Sequence, residues 1–265
     1  MFPLHTKDFP ATADALEHLL NESLREVLIL PRDAVQVQEA HYPALTQIAV
    51  TLDRATVRPN LPKPRPSAGK TKPVLEVQQL SIRGEEISTG PAKVSLVLDA
   101  REVRLNSGTD ENGDVVLGID GATDGSVELS TTNSELEAAI GEIAKREAGK
   151  QGVTIEDVRL SLHETGPRSV QAETTLRARK LFFTAVVRIA GSLSIDDELN
   201  ATLSGLQCNG EGAIGSMACG FLEPHLRKVE GRSFALMALA LGDIRLRDVR
   251  LSANDNVTVR AEFGS

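Results

Sequence analysis

The chain predicts an α+β fold dominated by long antiparallel strands, with three amphipathic helices packed on the concave face. Three observations carry this. Apolar residues recur at helical spacing in three places, they alternate with polar ones over most of the remainder, and the connecting segments are short and rich in Gly, Asp, Asn and Pro. With 265 residues, 41% of them hydrophobic, the chain can bury a sizeable core, and the expectation is one elongated domain over 1–265.

The first helix is expected near 12–29, where Leu16, Leu19, Leu20, Leu24, Val27 and Leu28 form one apolar stripe that ends before Pro31. Residues 58–73, RPNLPKPRPSAGKTKP, carry five prolines and no apolar period, which predicts a long exposed loop. Period-two runs follow in VLEVQQLSI (74–82) and AKVSLVLDAREVRL (92–105). Strands with one apolar and one solvated face read this way, as antiparallel sheets do.

A second helix is expected near 133–148, with Leu136, Ala139, Ile140 and Ile143 on one face and Glu137, Glu142, Lys145 and Arg146 largely opposite. Gly149 and Gly152 close it. Further alternating runs are VTIEDVRLSL (153–162), SVQAETTLRA (169–178) and NVTVRAEF (256–263). The third helix is expected near 213–229, with Ile214, Met217, Ala218, Phe221, Leu222 and Leu226 on its apolar side, and Pro224 kinking or interrupting it by removing a backbone donor.

Composition narrows the function classes. A net charge of −8 disfavours a broad nucleic-acid surface, which needs clustered Lys and Arg to displace counterions. With no Trp, one Tyr and seven Phe, stacking platforms for bases or sugars are scarce and the core must be aliphatic. No stretch approaches the roughly 18 apolar residues of a membrane span. The first residues lack a basic leader before an apolar core, and the expectation is a soluble, cytoplasmic protein.

The run GEGAIG (210–215) fits G-x-G-x-x-G. A dinucleotide site needs that run inside a βαβ unit with a parallel strand, whereas the flanking runs alternate like antiparallel strands. The glycines are therefore read as serving a tight turn and a helix starting close against a sheet. Cys208 and Cys219 are too few for a zinc site and are read as buried free thiols, with a single bridge as the alternative. The five histidines are scattered, and no nucleophile elbow, metal-binding helix or triad appears. His163-Glu164 and Asp196-Asp197-Glu198 fall at turns, where charge is solvated. No enzymatic role, cofactor or metal is expected.

The order of elements, with GSVELSTTNSELEAAIGEIA entering a helix and VVRIAGSLSIDDELNATL following in strands, resembles the tubular lipid-binding (TULIP) superfamily, in particular its small bacterial phospholipid-binding members. Ser130, Asn133, Leu136, Gly191, Leu193, Ile195 and Asp197 carry the matching pattern. The resemblance implies a long, curved antiparallel sheet wrapped around two or three amphipathic helices as an elongated barrel, with acyl chains held in the seam. The chain departs from those relatives in lacking an export signal and in its many charged outer residues, which fit a soluble carrier.

The leading expectation is non-enzymatic binding or transport of a lipid or fatty-acid-like ligand, with transient membrane contact and no nucleic acid. Leu136, Ile140, Ile143, Phe183, Ile214, Met217 and Phe221 are the expected lining of an internal hydrophobic tunnel. The alternative is a structural or scaffolding domain whose core is filled by its own side chains.

Overall fold

The computed structural model describes residues 2–59, 67–150, 152–180, 183–236, 245–254 and 256–265, with the backbone alone at 180, 221, 225, 234 and 235. The central part of the expected loop at 58–73 lies outside the described residues. Contacts gather the chain into two compact units, one of Met1–Leu129, Ala240–Asp248 and Arg260–Ser265, the other of Ser130–Leu239 and Val249–Val259.

The first unit opens with a two-residue strand β1 (Phe2–Pro3) and helix α1 (Ala13–Val27). The helix starts where its pattern says it should, because the Thr12 hydroxyl accepts from the Ala15 N–H at 3.2 Å and caps the first turn. Strands β2 (Leu28–Ile29), β3 (Val35–His41), β4 (Ala44–Thr51) and β5 (Thr56–Val57) follow, then β6 (Lys72–Thr89) and β7 (Ala92–Thr109), β8 (Val115–Gly121) and β9 (Asp124–Thr132). The last two strands of the chain, β15 (Leu246–Ala253) and β16 (Asn256–Phe263), whose segment Val249–Val259 counts with the second unit, complete the order β15-β16-β9-β7-β6-β4-β3. Pairing is antiparallel between β6 and β7 but parallel between β4 and β6 and between β5 and β6. The sheet is thus mixed. Alternation reports which face a side chain takes, not the direction of the neighbouring strand.

The apolar stripe of α1 lands on a closed core. Leu16 has no solvent exposure and packs with Leu4, Leu45, Val77, Val103 and Leu105. Among the described residues, both clusters of buried apolar side chains belong to this unit, the second being Leu28, Ala34, Leu52, Ala55 and Ile87. Asn21 fastens the helix to β3: its Nδ2 donates to the Glu17 and Val35 carbonyls, and its Oδ1 accepts from the Ala34 and Val35 N–H groups.

The second unit begins with α2 (Asn133–Gly149), capped by the Thr132 hydroxyl accepting from Glu135 N–H. A meander follows of β10 (Thr154–Gly166), β11 (Ser169–Lys180), β12 (Phe183–Ile195) and β13 (Asn200–Gly210), then α3 (Gly212–Val229) and the short β14 (Ser233–Ala235). Among the described residues every pairing in this sheet is antiparallel, in the order β10-β11-β12-β13-β14. Among the described residues the strands do not close into a barrel. The helix α3 continues through Pro224 as one element, so of the expected kink or interruption the interruption does not occur.

Candidate functional site

Register sorts the second sheet into two faces. Val158 pairs with Leu176 and Leu176 with Val187, while Leu160, Thr174 and Ile189 form the next row. These side chains share one face. The adjacent rows, Asp157-Arg177-Val186 and Arg159-Thr175-Arg188, point the other way. One face is apolar and the other charged.

Both helices of the unit lie on the apolar face. α2 sits over β10, with Gly141 positioned so that a Cβ there would meet Val158 Cγ2 at 3.5 Å. Its Glu137 carboxylate accepts from the Leu160 N–H at 2.7 Å. α3 runs antiparallel to β13: Gly215 touches Gly210, Cys219 is bonded to Cys208, and the Glu230 carboxylate accepts from the Gly205 and Leu206 N–H groups at 2.9 and 2.8 Å.

The hand of the sheet fixes which flank of α3 looks inward. The Val186 carbonyl turns toward β13, where it accepts from Glu211 N–H at 2.9 Å, so the apolar side chains of β12 and the direction of β13 are set together. With about 100° between successive residues and Gly215 and Cys219 down on the sheet, Ile214 lies on the flank of α3, whereas Met217, 63% exposed, stands on the side away from the sheet. Ser216, Glu223 and Arg227 turn outward. The same construction on α2 turns Leu136 and Ile140 toward the middle and leaves Ile143 uppermost.

The seven expected lining residues all belong to the second unit. Leu136 and Ile140 are half-buried, whereas Ile143 is 46% exposed, Phe183 59% and Met217 63%, with Ile214 also exposed. The side chain of Phe221 lies outside the described residues. The exposed four gather at one end of the unit, since Phe183 opens β12, Ile143 lies in the second half of α2 and Ile214 and Met217 lie in the first half of α3. The sheet face on which the two helices lie carries Leu176, Val187 and Ile189, of which Val187 is buried.

The cysteines are joined, with a Cα–Cα distance of 5.4 Å, and this overturns the reading as free thiols. Sequence separation hid the pairing, because eleven residues span a turn that folds α3 back along β13. The GEGAIG run closes that turn: Gly212 has φ +71° and Gly210 lies against Gly215. Among the described residues no parallel strand adjoins it in this sheet, so the dinucleotide context is missing there.

The charged face holds a concavity of about 250 Å³ lined by Asp157, Arg159, Thr175, Arg177, Val186, Arg188 and Glu211. Arg159 pairs with Asp157 at 3.1 Å and Arg188 with Glu211 at 2.6 Å. Ser161 Oγ and His163 Nε2 lie 3.2 Å apart, exposed on that face. Asp196 serves its turn: it accepts from the Asn200 backbone and side chain, and these bonds hold its carboxyl below the usual aspartate range. Among the described residues no group of three His, Cys, Asp or Glu side chains is placed to hold a metal, and no helix is long and apolar enough to cross a membrane.

No family model matches the chain, and no curated protein or solved structure matches it.

Proposed function

We propose that the second unit binds a lipid or another long apolar ligand, without catalysing a reaction, in the groove between α2 and α3. The observation that supports this reading most is the contrast between the units. The first buries its helix stripe in closed clusters, while the second holds an apolar sheet face flanked by two helices and leaves Ile143, Phe183, Ile214 and Met217 exposed at one end. Grouped apolar exposure of this kind marks binding surfaces.

The energetics suit a chain-like ligand. Each buried methylene contributes about 0.8 kcal/mol, so about twelve supply about 10 kcal/mol before ordering costs. Headgroup contacts then need not dominate. Membership of the tubular lipid-binding superfamily, with its curved wrapping sheet, belongs to the same proposal, as does transient membrane contact at the exposed end. The scaffolding alternative describes the first unit, whose core its own side chains fill.

The disulfide favours an oxidising compartment over the cytoplasm, because such bonds persist where thiols are not kept reduced. Native mass spectrometry of the purified chain tests the function. The proposal expects a population carrying added masses in the lipid range that organic extraction removes; a single unliganded mass, also after incubation with mixed fatty acids and phospholipids, counts against it.

A further inference from the structure

We infer that the Cys208–Cys219 disulfide is the latch of the groove's α3 wall, so that a dithiol reductant frees the wall and lowers the affinity for the apolar occupant. The inference rests on the reading of this face as a ligand groove and adds its regulation.

The remaining hold on α3 is concentrated in its second half. Gly215 and Cys219 are its buried residues among those described, and the large half-buried side chains on their side of the helix, Leu222, Leu226 and Val229, all follow Cys219. Glu211 gives no side-chain cap, the first turn carries no acidic residue, and Pro224 lacks the N–H that would bond one turn back. Polar side-chain ties sit at the two ends: Arg188 with Glu211 at 2.6 Å, and Glu230 with Gly205 and Leu206. Glycines with positive φ, Gly212 at +71° and Gly231 at +66°, stand at the same two ends. They are ready pivots. Between them the covalent tie is the bridge from half-buried Cys208 to Cys219, which is 8% exposed. α1 presents the opposite case, held by Leu16 and the four hydrogen bonds of Asn21 with no covalent link.

The chemistry is thiol–disulfide exchange. One thiolate of the reductant attacks the more accessible Cys208 Sγ, the S–S bond breaks, and Cys219 leaves as a thiolate that takes up a proton. The second thiol of the reductant then attacks the mixed disulfide, releasing Cys208 as a thiol and the reductant as its own disulfide. Two electrons and two protons pass to the protein. The first half of α3, which carries Ile214 and Met217, then loses its covalent tie, and the groove loses the fixed flank that a chain-like ligand packs against.

The test uses the full chain, oxidised and reduced with dithiothreitol, alongside the double variant Cys208→Ser/Cys219→Ser. Alkylation with iodoacetamide verifies that reduction occurred. Amide hydrogen exchange is followed by peptide, and binding by titration of a fluorescent fatty-acid probe. The latch predicts exchange at least about tenfold faster across 212–229 in the reduced protein and the double variant, with β10–β13 unchanged, and a probe Kd raised at least about fivefold that reoxidation restores in the wild type. Unchanged exchange across 212–229 after verified reduction overturns it. So does loss of protection throughout the second unit, which makes the bridge a general staple, and so does faster α3 exchange with an unaltered Kd. If the oxidised protein never binds the probe, the ligand reading fails and regulation of binding fails with it, while the exchange data show separately whether the wall is released.

Discussion

Gly215 of α3 lies so close to Gly210 of β13 that a methyl on Gly215 would stand 2.8 Å from the Gly210 carbonyl carbon and 2.9 Å from the Val186 carbonyl oxygen. Both obstacles are backbone, which cannot rotate away. Gly215→Ala is therefore expected to cost about 1–3 kcal/mol, read as a lower Tm in a thermal melt. Adding NAD or ATP is expected to leave the wild-type melt unmoved. A nucleotide-dependent rise in Tm would revive the dinucleotide reading of the GEGAIG run.

The two units should respond differently to losing an apolar side chain. Leu16→Ala removes a fully buried side chain from a closed cluster and is expected to cost about 2–5 kcal/mol. Met217→Ala removes one that is 63% exposed, so a change within about 0.5 kcal/mol is expected. Urea unfolding of each variant checks this, and comparable losses at both sites would mean that Met217 is packed in a core.

Asn21 makes its four hydrogen bonds from a nearly buried position. Asn21→Ala leaves the Ala34 and Val35 N–H groups without their acceptor, and an unsatisfied buried donor costs about 1–3 kcal/mol. A loss of about 2–4 kcal/mol is expected in denaturant titration, with groove binding unaffected. A loss below about 0.5 kcal/mol would show that the network contributes little.

The Asp196 carboxyl, held below its usual range chiefly by the Asn200 backbone N–H and then by the Asn200 side chain, makes the turn between β12 and β13 acid-sensitive. A depressed folded-state value means the contribution is present above the ordinary aspartate range and is lost as pH falls through the folded-state value. Asp196→Asn is expected to flatten that part of the stability–pH curve. An unaltered acid limb in the variant would contradict the assignment.

How much of this was legible in the sequence depends on which interactions are local. Periodicity located the helices, expected near 12–29, 133–148 and 213–229 and found at Ala13–Val27, Asn133–Gly149 and Gly212–Val229, because an amphipathic stripe is written in consecutive residues. The parallel pairing of β4 with β6 was not readable, since alternation carries no direction. Nor was the Cys208–Cys219 bond, which depends on α3 folding back along its own strand. The apolar stripes of α2 and α3 were visible, but whether the face between them is covered is set by tertiary packing. Exposure of Phe183 and Met217 could come only from the structure.

The central claim is that the apolar face of the second unit takes a long apolar ligand, and titrating a fluorescent fatty-acid probe into wild type and Met217→Glu tests it most directly. Met217 stands on the exposed side of α3, at the mouth of the proposed groove, where a carboxylate makes burial of an acyl chain beside it costly yet lets the variant fold. The account predicts saturable binding by folded wild type, binding lost in a Met217→Glu protein with an unchanged circular dichroism spectrum and melt, and binding retained in the outward-facing control Glu142→Lys. A folded wild type that never binds the probe, or a Met217→Glu variant that binds it as well as wild type, would contradict it.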